Sequence, residues 1–405
     1  MRFCMVTTFY PPYNYGGDGI FVQALARALT AEGHQVEVVH CEDAFRLSKG
    51  SAPPLPAEND GIVVHRLESA LKTLSPLLTQ QTGRPGFKAA QLRAIFARVF
   101  DVVNFHNISL VGGPGILSMS RAKVNLYTLH EHWLLCPTHI FWKERTRACD
   151  KPQCIRCCIR SGIPPQLWRY GSLIRRSLAH VDALLSPSEY TAQRHRQSGI
   201  TTPIITLPSF SRLSPGPPSH YRPPAVPTFL FAGRITASKG IHELLEHFTA
   251  LKHYQLIIVG DGDLRLSLRD RYAGHENICI KGVVSHSELK TLYRNATALI
   301  LPSLAPEVLP LSVLESLACG TPVIVRNAGG AAEPVGRTGA GLIYKTREEF
   351  FNAVHRLATD GALRETLGRQ ARKGYEQYYT QERYLASYLA LVSSIRSRQP
   401  SRLKP

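Results

Sequence analysis

Apolar positions along the chain fall into short continuous runs and longer stretches at helical spacing, in regular alternation. Arg2 to Thr8 is an apolar run too short for a helix and predicts a buried strand. A glycine-rich loop, Tyr13 to Gly19, follows it. Phe21, Val22, Leu25, Ala26, Ala28 and Leu29 then recur at helical spacing as far as Gly33. Gln35 to His40 predicts a second strand, so the chain opens on a βαβ unit. Val102 to His106, Val124 to Leu129 and Ala183 to Ser186 predict further strands of the same half. The pattern restarts at Thr228 to Gly233 and continues through Leu256 to Gly260, Ile278 to Lys281, Ala298 to Leu301 and Pro322 to Val325. The fold class expected is therefore α/β, with two doubly wound Rossmann-like domains facing a central cleft. Ligands in such sheets lie beyond the carboxyl ends of the strands.

Between Pro203 and Pro227 stand eight prolines, which remove backbone donors and forbid a helix. The expected division is a first domain over residues 1–205 with a Cys-rich insertion over 136–158, a linker over 206–227 and a second domain over 228–375. A helix and basic tail over 376–405, with Arg396, Arg398 and Arg402, is expected to return to the first domain. At 405 residues the length suits two domains, and 44% hydrophobic with 19% charged residues excludes a disordered or fibrous chain. No run approaches the roughly 20 apolar residues of a membrane span. No apolar core of signal-peptide length precedes Pro11 and Pro12, so a cytosolic chain with mostly reduced cysteines is expected. The formal charge of +18 favours anionic partners: phosphorylated substrates, acidic lipid surfaces or nucleic acid.

Candidate chemistry concentrates in Ser303 to Pro322. Pro310 suits the start of a helix and Gly320 its end, with Leu311, Leu314, Leu317 and Ala318 as the buried stripe. Glu315 falls on that apolar side and needs hydroxyl or cationic partners there. Glu307 sits in the loop before the helix. Two carboxylates near a helix N-terminus can accept hydrogen bonds from sugar hydroxyls, while the first-turn amides face an anion.

Glu307 and Glu315 are separated by seven residues and followed by Leu317-Ala318-Cys319-Gly320-Thr321-Pro322. This resembles the paired-glutamate signature of retaining, nucleotide-sugar-dependent GT-B glycosyltransferases of family 4, the glycogen-synthase-like group 1 transferases. Phe231 to Ile235 with Lys239 and Gly240 resembles that family's Gly-Arg…Lys-Gly segment. Val259-Gly260-Asp261-Gly262 resembles its nucleotide-side strand end, and Gly16-Gly17 its N-terminal glycine pair. The resemblance covers nearly the whole chain. It implies a glycosyltransferase moving a sugar from a UDP- or GDP-sugar to a glycan or lipid-linked acceptor in surface polysaccharide assembly. It also makes the first domain the acceptor side and the second the nucleotide-sugar side. It places Glu307 at the donor-sugar hydroxyls and Glu315 at the ribose. The donor site it implies comprises Gly16, Gly17, Gly233, Arg234, Lys239, Gly260, Gly262, Glu307, Leu309, Pro310, Leu311 and Glu315. Arg234 and Lys239 suit neutralisation of a leaving diphosphate, and the glycine pair lets amides approach phosphate. Glu307-Val308-Leu309-Pro310 stands where the family commonly has Glu-Gly-Phe-Gly. No carboxylate pair stands at the place of a metal-dependent transferase's cation site, so no cofactor is expected for catalysis. His130, in Thr128-Leu129-His130-Glu131, ends a strand and matches the family's acceptor-side histidine, expected to orient acceptor or sugar; His106 and Asn107 end another strand similarly.

Cys154-x2-Cys157, with Cys136 and Cys149, has the composition of a tetrahedral thiolate site, leaving Cys158 spare; structural zinc is the expectation. Between Lys143 and Arg176 stand nine Lys or Arg and two Asp or Glu, with Trp168 and Tyr170 interleaved. That patch points to an anionic membrane surface or lipid-diphosphate acceptor, and to a peripheral position at the inner face of a membrane. The alternative is a basic, zinc-containing nucleic-acid-binding protein; it has no use for Glu307 and Glu315, and no nucleic-acid-binding motif is present, so no nucleic-acid partner is expected.

Overall fold

The computed structural model describes residues 1–14, 16–49, 60–213 and 225–398. Fifteen strands lie among them: β1 (Arg2–Val6), β2 (Gln35–Cys41), β3 (Val63–Leu67), β4 (Val102–Phe105), β5 (Val124–Thr128), β6 (Trp142–Lys143), β7 (Arg147–Ala148), β8 (Ala183–Ser186), β9 (Ile204–Thr206), β10 (Thr228–Ala232), β11 (Gln255–Val259), β12 (Ile278–Gly282), β13 (Ala298–Leu301), β14 (Val323–Arg326) and β15 (Gly341–Tyr344). The chain divides into two compact units. One comprises Met1–His139, Gln153–Ser209 and Gln381–Pro405; the other comprises Ile140–Pro152 and Phe210–Thr380.

The first unit is built on a seven-stranded sheet in the order β3-β2-β1-β4-β5-β8-β9, paired in parallel throughout. Its central strands are buried on both faces, which is why they read as unbroken apolar runs. β3 escaped sequence reading because it is an edge strand with an exposed Val63 and a polar His65-Arg66 pair. The Pro-rich segment is not wholly a linker. Ile204–Thr206 adds β9 to this sheet beside β8, and Leu213 is buried in the core of the second unit. Residues 214–224 of the expected linker lie outside the described residues. The final helix, Gln381–Arg398, belongs to the first unit. Tyr388 is fully buried 6.2 Å from the Phe3 ring, and its hydroxyl accepts from Asn104 Nδ2 at 3.4 Å. Arg402 lies outside the described residues.

The second unit repeats the plan with six parallel strands in the order β12-β11-β10-β13-β14-β15. In both sheets the chain reverses its direction of growth beside the first strand, between β1 and β4 and between β10 and β13. This is the topological switch point at which α/β sheets bind ligands. Ile140–Pro152, which carries the small antiparallel pair β6–β7, groups with the second unit. The Cys-rich insertion expected over 136–158 of the first domain is thus divided between the two. Among the described residues no helix is long and apolar enough to cross a membrane.

Candidate active site

In the first unit the loops after β1, β4 and β5 gather at the switch point. Gly16 caps the helix Gly17–Ala31 in extended conformation, so Gly16 and Gly17 stand at a helix N-terminus whose first-turn amides have no partner within the helix. Asp18, in that first turn, accepts from Asn107 Nδ2 at 3.1 Å. Asn107 is buried after β4, and its own amide oxygen accepts from the Ser109 backbone and hydroxyl at 3.2 and 2.7 Å. His130, after β5, lies with its Nε2 2.9 Å from Nδ1 of His106, the two rings stacked, and meets the edge of Phe21 at 5.1 Å. Burial pushes His130 down to about 4, against the opposing pull of Asp18, and pushes the wholly enclosed His106 well below the ordinary histidine value. Both imidazoles are therefore neutral at pH 7, and one must donate to the other. His106 Nε2 is buried without a partner. An orphaned N–H is the rarer and costlier state, which favours a proton on His106 Nδ1. His130 then accepts at Nε2 and carries its own proton on Nδ1. His106 and Asn107 drew notice as strand-end residues; the part played by Asp18 was not visible until the β1 and β4 loops met.

In the second unit the loops after β10 and β13 meet. Lys239 Nζ donates to Glu307 Oε1 at 2.6 Å, and Ser303 Oγ donates to the same oxygen at 2.5 Å. Burial alone would raise the Glu307 carboxyl; Lys239, Ser303 and Arg234 outweigh it and hold the group below its usual value, ionised at neutral pH. Arg234 is exposed beside this pair and makes no ion pair among the described residues. The backbone of Glu307 is itself clamped: its N–H donates to Ala328 O at 3.2 Å, and its carbonyl accepts from Gly330 N at 2.7 Å. Gly329, at φ 67°, sits so close that a Cβ there would lie 2.5 Å from the Glu307 carbonyl oxygen. Ser303 opens the segment singled out in the sequence but was given no role there; Gly329 and Gly330 went unrecognised because they are remote from the paired-glutamate motif along the chain though not in space.

Pro310 is the buried N-cap of helix Leu311–Ala318, with Leu309 and Leu311 half-buried around it. The helix buries Val313, Leu314, Ser316, Leu317 and Ala318, so its inner face centres on Leu314 and Leu317, and Leu311 lies at its margin instead of on the expected stripe. Glu315 accepts from the Tyr293 hydroxyl at 2.9 Å. Burial pushes it up to about 7, with Tyr293 and Arg212 opposing, so it sits on the edge of ionisation. Gly260 ends β11 at φ 138°, and a Cβ there would lie 1.8 Å from the Gly233 carbonyl oxygen. A side chain at Gly262 would likewise come within 2.3 Å of Ile235 O. These glycines let the strand ends of β10 and β11 lie against each other, which places Gly233, Arg234 and Lys239 on one rim with Glu307.

All nine cysteines are free thiols. Cys154, Cys157 and Cys158 share the short helix Cys154–Arg160, whereas the Cys149 N–H donates to Phe141 O beside the β6–β7 pair. Among the described residues no three His, Cys, Asp or Glu side chains are grouped to hold a metal ion. Burial pushes the Cys154 thiol up, and the neighbouring Cys136 and Cys157 add to it, so three of the four cysteines expected of a thiolate centre are neighbours in space.

Two family models match the chain in sequence order. The description "Glycosyl transferase 4-like domain" covers residues 16–209, and "Glycosyl transferases group 1" covers 218–374. A D-inositol 3-phosphate glycosyltransferase of Paenarthrobacter aurescens is 25% identical over 94% of this chain and 94% of its own length. The sucrose-phosphate synthase structure from Thermosynechococcus elongatus superposes with a TM-score of 0.74 at 19% identity, covering 98% of this chain and all of that one. An Anabaena protein determined in complex with UDP-glucose has a TM-score of 0.66 at 16% identity over 97% of this chain and 100% of its own. The nucleic-acid-binding alternative finds no support among these matches. With the two domain types matched in order, the chain belongs to the group 1, 4-like glycosyltransferases: a glycosyl-transferring enzyme of two Rossmann-like domains in the GT-B class.

Proposed function

We propose that the enzyme moves a sugar from a UDP- or GDP-linked donor to a glycan or lipid-linked acceptor in surface polysaccharide assembly, with retention of configuration. The observation that carries this reading is the cationic rim of the second unit. Lys239 is held on Glu307 while the exposed Arg234 remains without an ion pair among the described residues. A diphosphate departing from the sugar gains negative charge, and preplaced cations stabilise it most at that moment. Glu307, ionised and fixed at both backbone groups, accepts hydrogen bonds from donor-sugar hydroxyls. Glu315 accepts from the ribose, and the Nδ1–H of His130 orients a sugar or acceptor hydroxyl. The neighbour determined with UDP-glucose supports the donor class, and the basic, aromatic stretch between Lys143 and Arg176 supports an anionic, membrane-associated acceptor. The test is a thermal-shift panel of nucleotide sugars followed by product analysis with the best donor. One nucleotide sugar is expected to stabilise the protein selectively and to be consumed in the presence of a lipid-linked glycan. Stabilisation by none of them would overturn the reading.

A further inference from the structure

The first unit contains a cavity of about 230 Å³ beside the loop that follows β5, lined by Leu134, Leu135, Pro137, Ile155, Pro165 and Ile174 together with Arg169. Its walls are mostly apolar, yet it contains a guanidinium that is charged at any physiological pH. Arg169 Nε donates to Gln166 Oε1 at 2.5 Å and Nη1 to Leu134 O at 3.3 Å. Its Nη2 is buried and has no partner. The guanidinium lies 4.9 Å from the Trp133 ring and 4.7 Å from the Trp168 ring, which fix its plane. Among the described residues no carboxylate forms an ion pair with it. A buried cation with one unused donor and no counter-charge is costly unless an anion joins it.

The surroundings indicate which anion. Gln153 to Arg176 contains five arginines and no acid, so the field around the cavity is strongly positive. Ile155 and Tyr170 line the cavity and are 45% and 66% exposed; Leu167 beside them is 66% exposed. An apolar chamber continuous with exposed apolar residues suits a chain that runs outward, not a compact sugar. At about 30 Å³ per water-sized group, the volume holds a head group and only the first few carbons of such a chain. We propose that this cavity binds the phosphate end of a single-chain lipid phosphate, with the head group on Arg169 Nη2 and the chain leaving past Ile155 and Tyr170. The dianionic charge of a phosphate monoester suits this guanidinium, set in an acid-free basic stretch of the chain, better than a carboxylate does. The proposal deepens the acceptor half of the proposed function and takes its biological meaning from that reading, although the binding itself requires no transfer.

The experiment titrates the full chain with decyl phosphate, decanoate, decanol and inorganic phosphate, each below its aggregation threshold. It follows tryptophan fluorescence, calorimetry and alkylation of Cys154, which lines the same cavity. Decyl phosphate is expected to bind at least tenfold more tightly than the other three, to shift the tryptophan emission and to protect Cys154. Arg169→Gln should weaken that binding by about tenfold to a hundredfold, the usual cost of a hydrogen bond to a charged group, and Arg169→Lys should restore part of it. Ile155→Glu, at an exposed position that should not affect folding, gives the same direction if Arg169→Gln proves unstable. Equal binding of decanol or of inorganic phosphate would overturn the proposal, as would equal binding of decanoate or unchanged affinity in Ile155→Glu. Nucleoside diphosphate binding should persist in every variant, so loss of transfer without loss of lipid binding points to the donor reading alone.

Discussion

The two switch points occupy the same place in the same topology and have opposite electrostatic character. After β10 and β13 stand Arg234 and an ion pair, Lys239–Glu307, both members partly exposed with side-chain accessibilities of 19% and 14%. After β1, β4 and β5 stand two stacked imidazoles, both driven neutral by burial, and an Asp18–Asn107 hydrogen bond. The comparison teaches that strand order decides where a ligand is met, while burial and partner choice decide with what. Water still reaches the second unit's rim, so charges persist there. Among the described residues the histidine pair has no ion-pair partner, and desolvation removes its charge.

The largest expected effect tests the charged side. Arg234→Ala and Lys239→Ala should each lower turnover by about 10² to 10³, the usual loss for one donor at a developing anion. Each should also weaken nucleoside diphosphate binding measured by calorimetry. Wild-type rates in both would erase the contrast between the two switch points.

The next effect sharpens the charged side by separating its carboxylates. Glu307→Gln should impair transfer while leaving nucleotide affinity nearly intact, and Glu315→Gln should weaken the bare nucleotide. Because Lys239 and Glu307 touch, their double mutant should fall short of additivity by about 0.5 to 3 kcal/mol in transition-state energy. Additive losses would mean that the pair does not act as a unit.

A smaller effect concerns Glu315, the one carboxylate of the second unit that burial leaves near its titration point, about 7. Its folded value is raised, so the stability it contributes is fully present below its unfolded value near pH 4.5 and is lost as pH rises through about 7. The full span is about 3 kcal/mol in the unliganded protein. Ribose hydroxyls donate to the ionised form, so nucleotide affinity should run the other way and fall about fivefold between pH 7 and pH 6. Glu315→Gln should flatten both profiles; a titration calorimetry series at three pH values decides.

The smallest effect is on the neutral side. With His130 held near 4, transfer rates should show no histidine break between pH 5.5 and 8. His106→Leu should cost about fivefold in kcat, the worth of one neutral hydrogen bond, and should raise the His130 titration seen by NMR. His106→Gln, which can still donate to Nε2, should recover most of the rate. A break near 6.5 that persists in Glu315→Gln would show that the histidines are not the neutral pair described.

The central strands of both sheets were legible in the sequence because parallel strands buried on two faces must be apolar without interruption. Of the four edge strands, β12 was legible as well, but β3, β9 and β15 were not, since their patterns break at His65, Pro203 and Gly341. The motif around Glu307 and Glu315, with Arg234, Lys239 and the glycines, was visible because its spacing is local. Asp18, Gly329 and Arg169 were not, because each acquires a partner from a segment distant in sequence.

By itself, then, the sequence determined the alternation of strands and helices, the two-unit plan and the identity of the charged groups. Those depend on apolar periodicity and on residues only a few positions apart. Only the tertiary structure decided which of those groups stay ionised, which proton His106 and His130 share, and that Arg169 is left with an unused donor in an apolar cavity. Each of these depends on how much water remains around a side chain, and that is set by the packing of segments far apart in the chain.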